Sequence, residues 1–105
     1  MTRSRNDIML TLVAPASLEE PLVDLLLAMP ELAGGFTSSP ADGHGARVPL
    51  VGADENVRGR GKRVRIEIAL ASAALSTLLD AIRQAMPAAP IHFWTVPILE
   101  FGSLQ

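Results

Sequence analysis

Apolar residues recur in this chain with two periods, and the two periods alternate along the sequence. A spacing of three and four residues, which gives one helix face, is found at Leu18, Leu22, Leu25, Leu26 and Met29 and again at Leu75, Leu78, Leu79, Ile82 and Met86. Strand-like segments, apolar or alternating, occupy residues 8–14, 36–41, 63–70 and 91–99. The sequence therefore predicts strand–helix–strand followed by strand–helix–strand. Serines at 17 and 72 are placed to cap the two helices.

This order is that of the ferredoxin-like βαββαβ arrangement, an α+β fold. Right-handed crossovers would place both helices on one face of a four-stranded antiparallel sheet. The first and last strand segments are apolar on both sides, since Met9 alternates with Leu10 and Trp94 with Phe93. A large apolar surface is rarely left in water. We therefore expect the second sheet face to be covered by further copies of the chain.

Composition narrows the function classes. The 105 residues fit a single domain, 1–105, and the net charge of −2 gives no general attraction to nucleic acid. The absence of cysteine excludes disulfides, thiolate metal ligands and thiol nucleophiles. No apolar run reaches the roughly 18 residues of a membrane span. The sequence also lacks a Ser-His-acid spacing and a pair of carboxylates on one element, so it gives no sign of an enzyme. The sequence favours a cytoplasmic binding protein that is not embedded in a membrane.

A basic cluster follows an irregular segment. Residues 46–61 are rich in Gly, Asp, Asn and Arg without a period, which predicts a long mobile loop of the kind that is usually functional. Five cations lie within eight positions: Arg58, Arg60, Lys62, Arg63 and Arg65. Guanidinium groups suit phosphate or carboxylate, so these residues are candidates to bind a small anion or nucleotide. The alternative is a solvated surface whose arginines pair with Asp54, Glu55 and Glu67.

The chain has two histidines, and both are candidate metal ligands. His44 lies between two glycines, and His92 begins the aromatic last strand. Neutral imidazole binds Zn, Cu or Ni, and association of copies could bring several rings together. Without a ligand spacing, a role at an interface explains His92 better than a role as a metal ligand. A metal-binding protein is therefore the alternative to an anion-binding one.

Four stretches resemble the PII-like proteins, the trimeric group that includes the GlnB-type nitrogen regulators and the CutA-type proteins. These are "GHG" at 43–45, "RVRIEIAL" at 63–70, "LLDAIRQA" at 78–85 and "FWTVPILE" at 93–100. The resemblance implies a homotrimer with clefts between subunits that bind adenine nucleotides. It also implies that residues 46–61 form a T-loop, which contacts a partner such as a membrane transporter.

The chain is most similar to a small subfamily of this group whose genes often lie beside heavy-metal efflux systems. That similarity implies an efflux pump component as a partner, or a metal role linked to heavy-metal resistance.

Carried over by position, the resemblance assigns Ser39 to contact with the base, and it places Gly43 and Gly45 at the base of the T-loop. The segment before the last strand departs from the group's pattern. PII-like regulators have a glycine-rich loop with Arg and Lys before the last strand, whereas residues 86–91 here read "MPAAPI" and carry no charge. A bound phosphate would therefore need its charge partners in the cluster at 58–65.

Overall fold

The computed structural model describes residues 6–45 and 61–105. The strands and helices are β1 (Ile8–Pro15), α1 (Glu19–Leu27), β2 (Phe36–Gly43), β3 (Gly61–Leu70), α2 (Leu75–Ala85) and β4 (His92–Pro97). A single 3₁₀ turn precedes each helix, at Ala16–Leu18 and at Ser72–Ala74. The predicted order of strands and helices is confirmed. The predicted loop at 46–61 lies outside the described residues, apart from Gly61, which begins β3.

The four strands form one sheet in the order β2-β3-β1-β4, and every neighbouring pair is antiparallel. The central strands β1 and β3 pair along the whole of β1, from Ile8 opposite Leu70 to Pro15 opposite Arg63. The edge strands are β2 and β4, so Pro40 and Pro97 both lie where a missing amide hydrogen is tolerated. This topology is the ferredoxin-like α+β fold that the sequence predicts.

The core lies on one side of the sheet. Alternate residues of the central strands are buried, and they pack against the apolar stripes of the two helices. The residues that are at most 1% exposed are Leu10, Leu12, Ala14, Ile66, Ile68 and Leu70 in the strands and Leu22, Leu26 and Leu78 in the helices. Both helices thus cover the same face, and the opposite face is not covered by any helix of the described chain.

The helices begin differently from the sequence expectation. Helix α1 starts at Glu19 after Leu18 and has no side-chain cap hydrogen bond, so the predicted cap from Ser17 is wrong. At the start of the turn before α2, the Ser72 amide donates to Asp7 Oδ1 at 2.7 Å and the Ser72 hydroxyl donates to Asp7 Oδ2 at 3.0 Å. The Asp7 carbonyl oxygen accepts from the Ile98 amide at 2.9 Å. Asp7 therefore joins the start of β1 to the turn before α2 and to the residues after β4.

We expect Asp7→Ala to lower the free energy of unfolding by about 1–2 kcal/mol, because it removes two hydrogen bonds from Ser72 to the exposed Asp7 carboxylate. Thermal and urea unfolding measure the change. Asp80→Ala is the matched control: its carboxylate pairs with Arg83 at 2.8 Å, but the two side chains are 64% and 66% exposed. That exposed pair should contribute less than about 0.5 kcal/mol. Equal losses in the two variants would contradict the role given to Asp7.

Within residues 6–45 and 61–105, none of the helices has the length and apolar character needed to cross a membrane.

Candidate functional site

The sheet face opposite the helices is called here the open face. The alternation of side chains along each strand, together with the pairing register, places one set of residues on it. From edge to edge these are His92, Trp94 and Val96; Met9, Thr11 and Val13; Arg63, Arg65, Glu67 and Ala69; and Thr37, Ser39 and Ala41.

The open face has an apolar half and a polar half. Strands β1 and β4 contribute apolar side chains, and in the single chain Trp94 is 48% exposed and Val96 is 47% exposed. Thr11, flanked by Trp94 on β4 and Glu67 on β3, is 4% exposed. Strands β3 and β2 contribute charged and hydroxyl side chains. A surface of this kind is typical of an interface with an apolar core and a polar rim.

The candidate cations of β3 divide between the two faces. Arg63 and Arg65 lie on the open face, opposite Ala41 and Ser39 of β2 respectively. Lys62 lies on the other face, opposite Asp42, because neighbouring strand residues point in opposite directions. The fold thus brings Ser39, Arg63 and Arg65 to one surface and separates Lys62 from them. Arg58 and Arg60 lie outside the described residues.

Arg63 is 5% exposed although it is charged. Its Nη1 donates to the Lys62 carbonyl oxygen at 3.0 Å. The guanidinium group lies against the backbone of Gly61, where an added Cβ would be 2.6 Å from Arg63 Nη2. Gly61, the first residue of β3, pairs with Gly43, the last residue of β2. The segment 46–60 lies between these two strands in the sequence. Gly61 was not among the residues predicted from the sequence, although residues 61 and 63 share one face at strand spacing, a signal that could have identified it.

Gly45, one of the two candidate glycines predicted from the sequence, has a φ of 125°. This left-handed conformation favours glycine over residues with a Cβ. Gly45 therefore has a backbone role just after the end of β2.

The two histidines lie at opposite edges of the sheet. His44 follows β2 and is exposed, and His92 is the first residue of β4, on the open face opposite Val13. Three strand spacings of about 4.8 Å separate β2 from β4, so the two rings of one chain are too far apart to share an ion. In the part of the chain that the structure describes, no group of three or more His, Cys, Asp or Glu residues could hold a metal. A shared site would need residues from more than one copy.

Solved structures with the same fold include PII-like and CutA proteins. The Thiomonas intermedia K12 protein CPII, a nitrogen regulatory PII-like protein solved with ADP, AMP and bicarbonate, superposes with a TM-score of 0.66 at 17% identity, over 88% of this chain and 89% of that one. CutA1 from Pyrococcus horikoshii superposes with a TM-score of 0.67 at 12% identity, over 90% of this chain and 86% of that one. At these identities the likeness shows the fold, which is PII-like and CutA-like.

No curated protein matches the sequence. The crystal structure of a DUF3240 family protein from Shewanella baltica OS155 superposes with a TM-score of 0.78 at 23% identity, over 96% of this chain and 99% of that one. Residues 4–105 match the family described as "Protein of unknown function (DUF3240)". Since the match covers nearly the whole sequence, this chain belongs to the DUF3240 family.

Proposed function

We propose that this protein is a small regulatory binding protein, a homotrimer that associates through its open faces and holds a small anion or nucleotide in the clefts between copies. The observation that carries the proposal is the open face itself. Its β1–β4 half exposes Trp94 and Val96 in the single chain. Its β2–β3 half carries Arg63, Arg65 and Ser39.

The apolar half supports association of copies. Contiguous exposed apolar patches on a protein surface commonly mark sites of association with another protein. Trp94 is the natural centre of such a contact, because tryptophan is enriched among the residues that dominate binding energy at interfaces. The neighbouring charged half would then form the rim, where a cleft between copies opens to solvent.

Arg63 and Arg65 support an anionic ligand at that rim. They are two residues apart on one face, and Arg65 is exposed beside Ser39. A guanidinium group offers paired donors to phosphate, carboxylate or bicarbonate oxygens. The ligands named for CPII are of this kind: ADP, AMP and bicarbonate. Because residues 86–91 carry no cation, the two arginines, with Arg58 and Arg60, would supply the positive charge.

The partner contact is assigned to the segment 46–60. Its flanking residues are held together by the pairing of Gly43 with Gly61. A ligand bound near Arg63 and Arg65 would lie close to the Gly43–Gly61 pair. Its binding would therefore favour one conformation of the segment for contact with a partner. We propose a membrane transporter, such as an efflux pump component, as that partner.

Isothermal titration with bicarbonate, AMP and ADP tests the anion site. We expect saturable binding of at least one of the three. Arg65→Ala should weaken it at least about tenfold, since a hydrogen bond to a charged group contributes about 1.5–3 kcal/mol. Arg63→Ala should weaken it similarly. Arg83→Ala removes an exposed cation on α2, and should leave the affinity unchanged. Unaltered binding in both open-face variants would reject the assigned site.

A metal site is the second proposal, supported by the exposed position of His92 on the edge strand of a face that would meet another copy. Metal analysis of the purified protein, followed by titration with Zn²⁺, Cu²⁺ and Ni²⁺, tests it. The double variant His44→Ala/His92→Ala should lose the bound metal. Retention of metal by that variant would reject these ligands.

A further inference from the structure

In a ring of three copies, the two halves of the open face meet different neighbours. Each copy in such a ring has one neighbour on either side, and every contact joins one patch to a different patch of the next copy. In the homotrimer proposed above, the β1–β4 half of one copy therefore packs on the β2–β3 half of the next. Trp94 then faces a surface that carries charged and hydroxyl groups.

The β2–β3 half contains a recess of a size that suits an aromatic side chain. Its cavity of about 610 Å³ lies where Thr37, Glu67 and Ala69 meet the turn after α1 and the tail after β4. Met9, Ala69 and Phe101 give it apolar walls. The volume is within the range, about 300–1,000 Å³, of pockets that hold small organic molecules, so an indole ring fits.

Trp94 matches this recess in polarity as well as in size. It lies opposite Thr11 on the edge strand β4 and is 48% exposed in the single chain, so about half of the side chain is available to another copy. A tryptophan that becomes buried usually finds an acceptor for its indole N–H. Thr37 and Glu67, both exposed at the cavity, supply acceptor oxygens.

We propose that Trp94 of each copy inserts into this cavity of the next copy around the ring. The indole ring packs against Ala69 and Phe101, and its N–H donates to Glu67 or Thr37. The assignment rests on the proposed homotrimer and names the residues that join its copies. Along β3, Glu67 is four residues from Arg63, or about 13 Å at strand spacing. The insertion therefore leaves the Arg63 end of the strand open for the proposed anion.

The fluorescence of Trp94 reports on this contact directly, because the sequence contains no other tryptophan. In the native protein at micromolar concentration, its emission should be shifted to the blue and protected from acrylamide, compared with the dissociated chain. Ala69→Leu narrows the cavity and should weaken association at least about tenfold, with a red shift of the emission. Ala85→Leu is the matched control: it makes the same change at an exposed position of α2, and should alter neither mass nor emission.

Phe101→Ala tests the same contact without touching the strands, because Phe101 is on the tail and is 62% exposed. Loss of the packing between two aromatic rings should weaken association at least about fivefold. Light scattering measures the association of each variant, and circular dichroism shows whether each keeps its fold. If Ala69→Leu does not fold, the result for Phe101→Ala decides.

A mixture of two defective variants isolates the insertion itself. Trp94→Glu chains have no tryptophan but keep the cavity, whereas Ala69→Leu chains keep Trp94 but have a narrowed cavity. Addition of the first variant to the second should shift the Trp94 emission to the blue. The double variant Trp94→Glu/Ala69→Leu, added in the same way, should produce no shift.

Two kinds of failure can be told apart. If the native protein is a trimer, unchanged mass and emission in both cavity variants, or the absence of a blue shift on mixing, would overturn the insertion and leave the trimer standing. A native mass of one chain would reject both the homotrimer and the insertion.

Discussion

Trp94→Glu is expected to convert the proposed homotrimer into single chains at micromolar concentration while leaving the fold intact. Trp94 is on the edge strand β4, is 48% exposed in the single chain and lies beside Thr11 in the apolar half of the open face. Truncation of an anchor aromatic at an interface costs on the order of 2–4 kcal/mol. A buried, unpaired carboxylate adds to that cost, and in a closed trimer every copy carries the change.

Sedimentation velocity measures this outcome. Leu27→Glu is the matched control, since Leu27 is a 65% exposed apolar residue at the end of α1, on the helical side of the molecule. It introduces the same carboxylate and should leave the mass unchanged. If Trp94→Glu keeps the mass of the native protein, the open face is not where copies meet.

Ile66→Ala is expected to destabilise the fold itself, whereas Trp94→Glu is expected to weaken only the association of copies. Ile66 is in the middle of β3, is 0% exposed and points toward the helices, opposite Leu12 of β1. Removal of buried methyl and methylene groups leaves a cavity, and such substitutions cost about 2–5 kcal/mol. For a domain of this size, that loss lowers the melting temperature by roughly 10–30 °C.

Thermal unfolding at several protein concentrations checks the result. Ile66→Val, which removes a single methylene group, should cost only about 0.5–1.5 kcal/mol. Val96→Ala is the comparison on the other face: its effect should appear as weaker association, with a melting temperature that depends on concentration. A melting temperature of Ile66→Ala equal to that of the native protein would contradict the assignment of the core to the helical face.

The order of the secondary structure was predictable because the sequence changes its apolar period at each boundary. The boundaries themselves depend on partners. The predicted strand at 36–41 extends to Gly43 because its last residues pair with Gly61 and Lys62, which extend β3 beyond the predicted 63–70. The last strand spans His92–Pro97, shorter than the predicted 91–99. After Pro97, the Ile98 amide donates to the Asp7 carbonyl oxygen.

The candidate site was predictable in part. Alternation along β3 is enough to separate Lys62 from Arg63 and Arg65, although the three were predicted to act as one cluster. The contact of Arg63 with Gly61 could not be predicted from the sequence, because it depends on how the guanidinium group folds back along its own strand.

The mass of the native protein in solution tests the central claim most directly. If the proposed homotrimer covers the apolar half of the open face, multi-angle light scattering at micromolar concentration should give three times the chain mass of 11.1 kDa. A stable species of 11.1 kDa would contradict the account, since Trp94 and Val96 would then face water and no cleft between copies would exist.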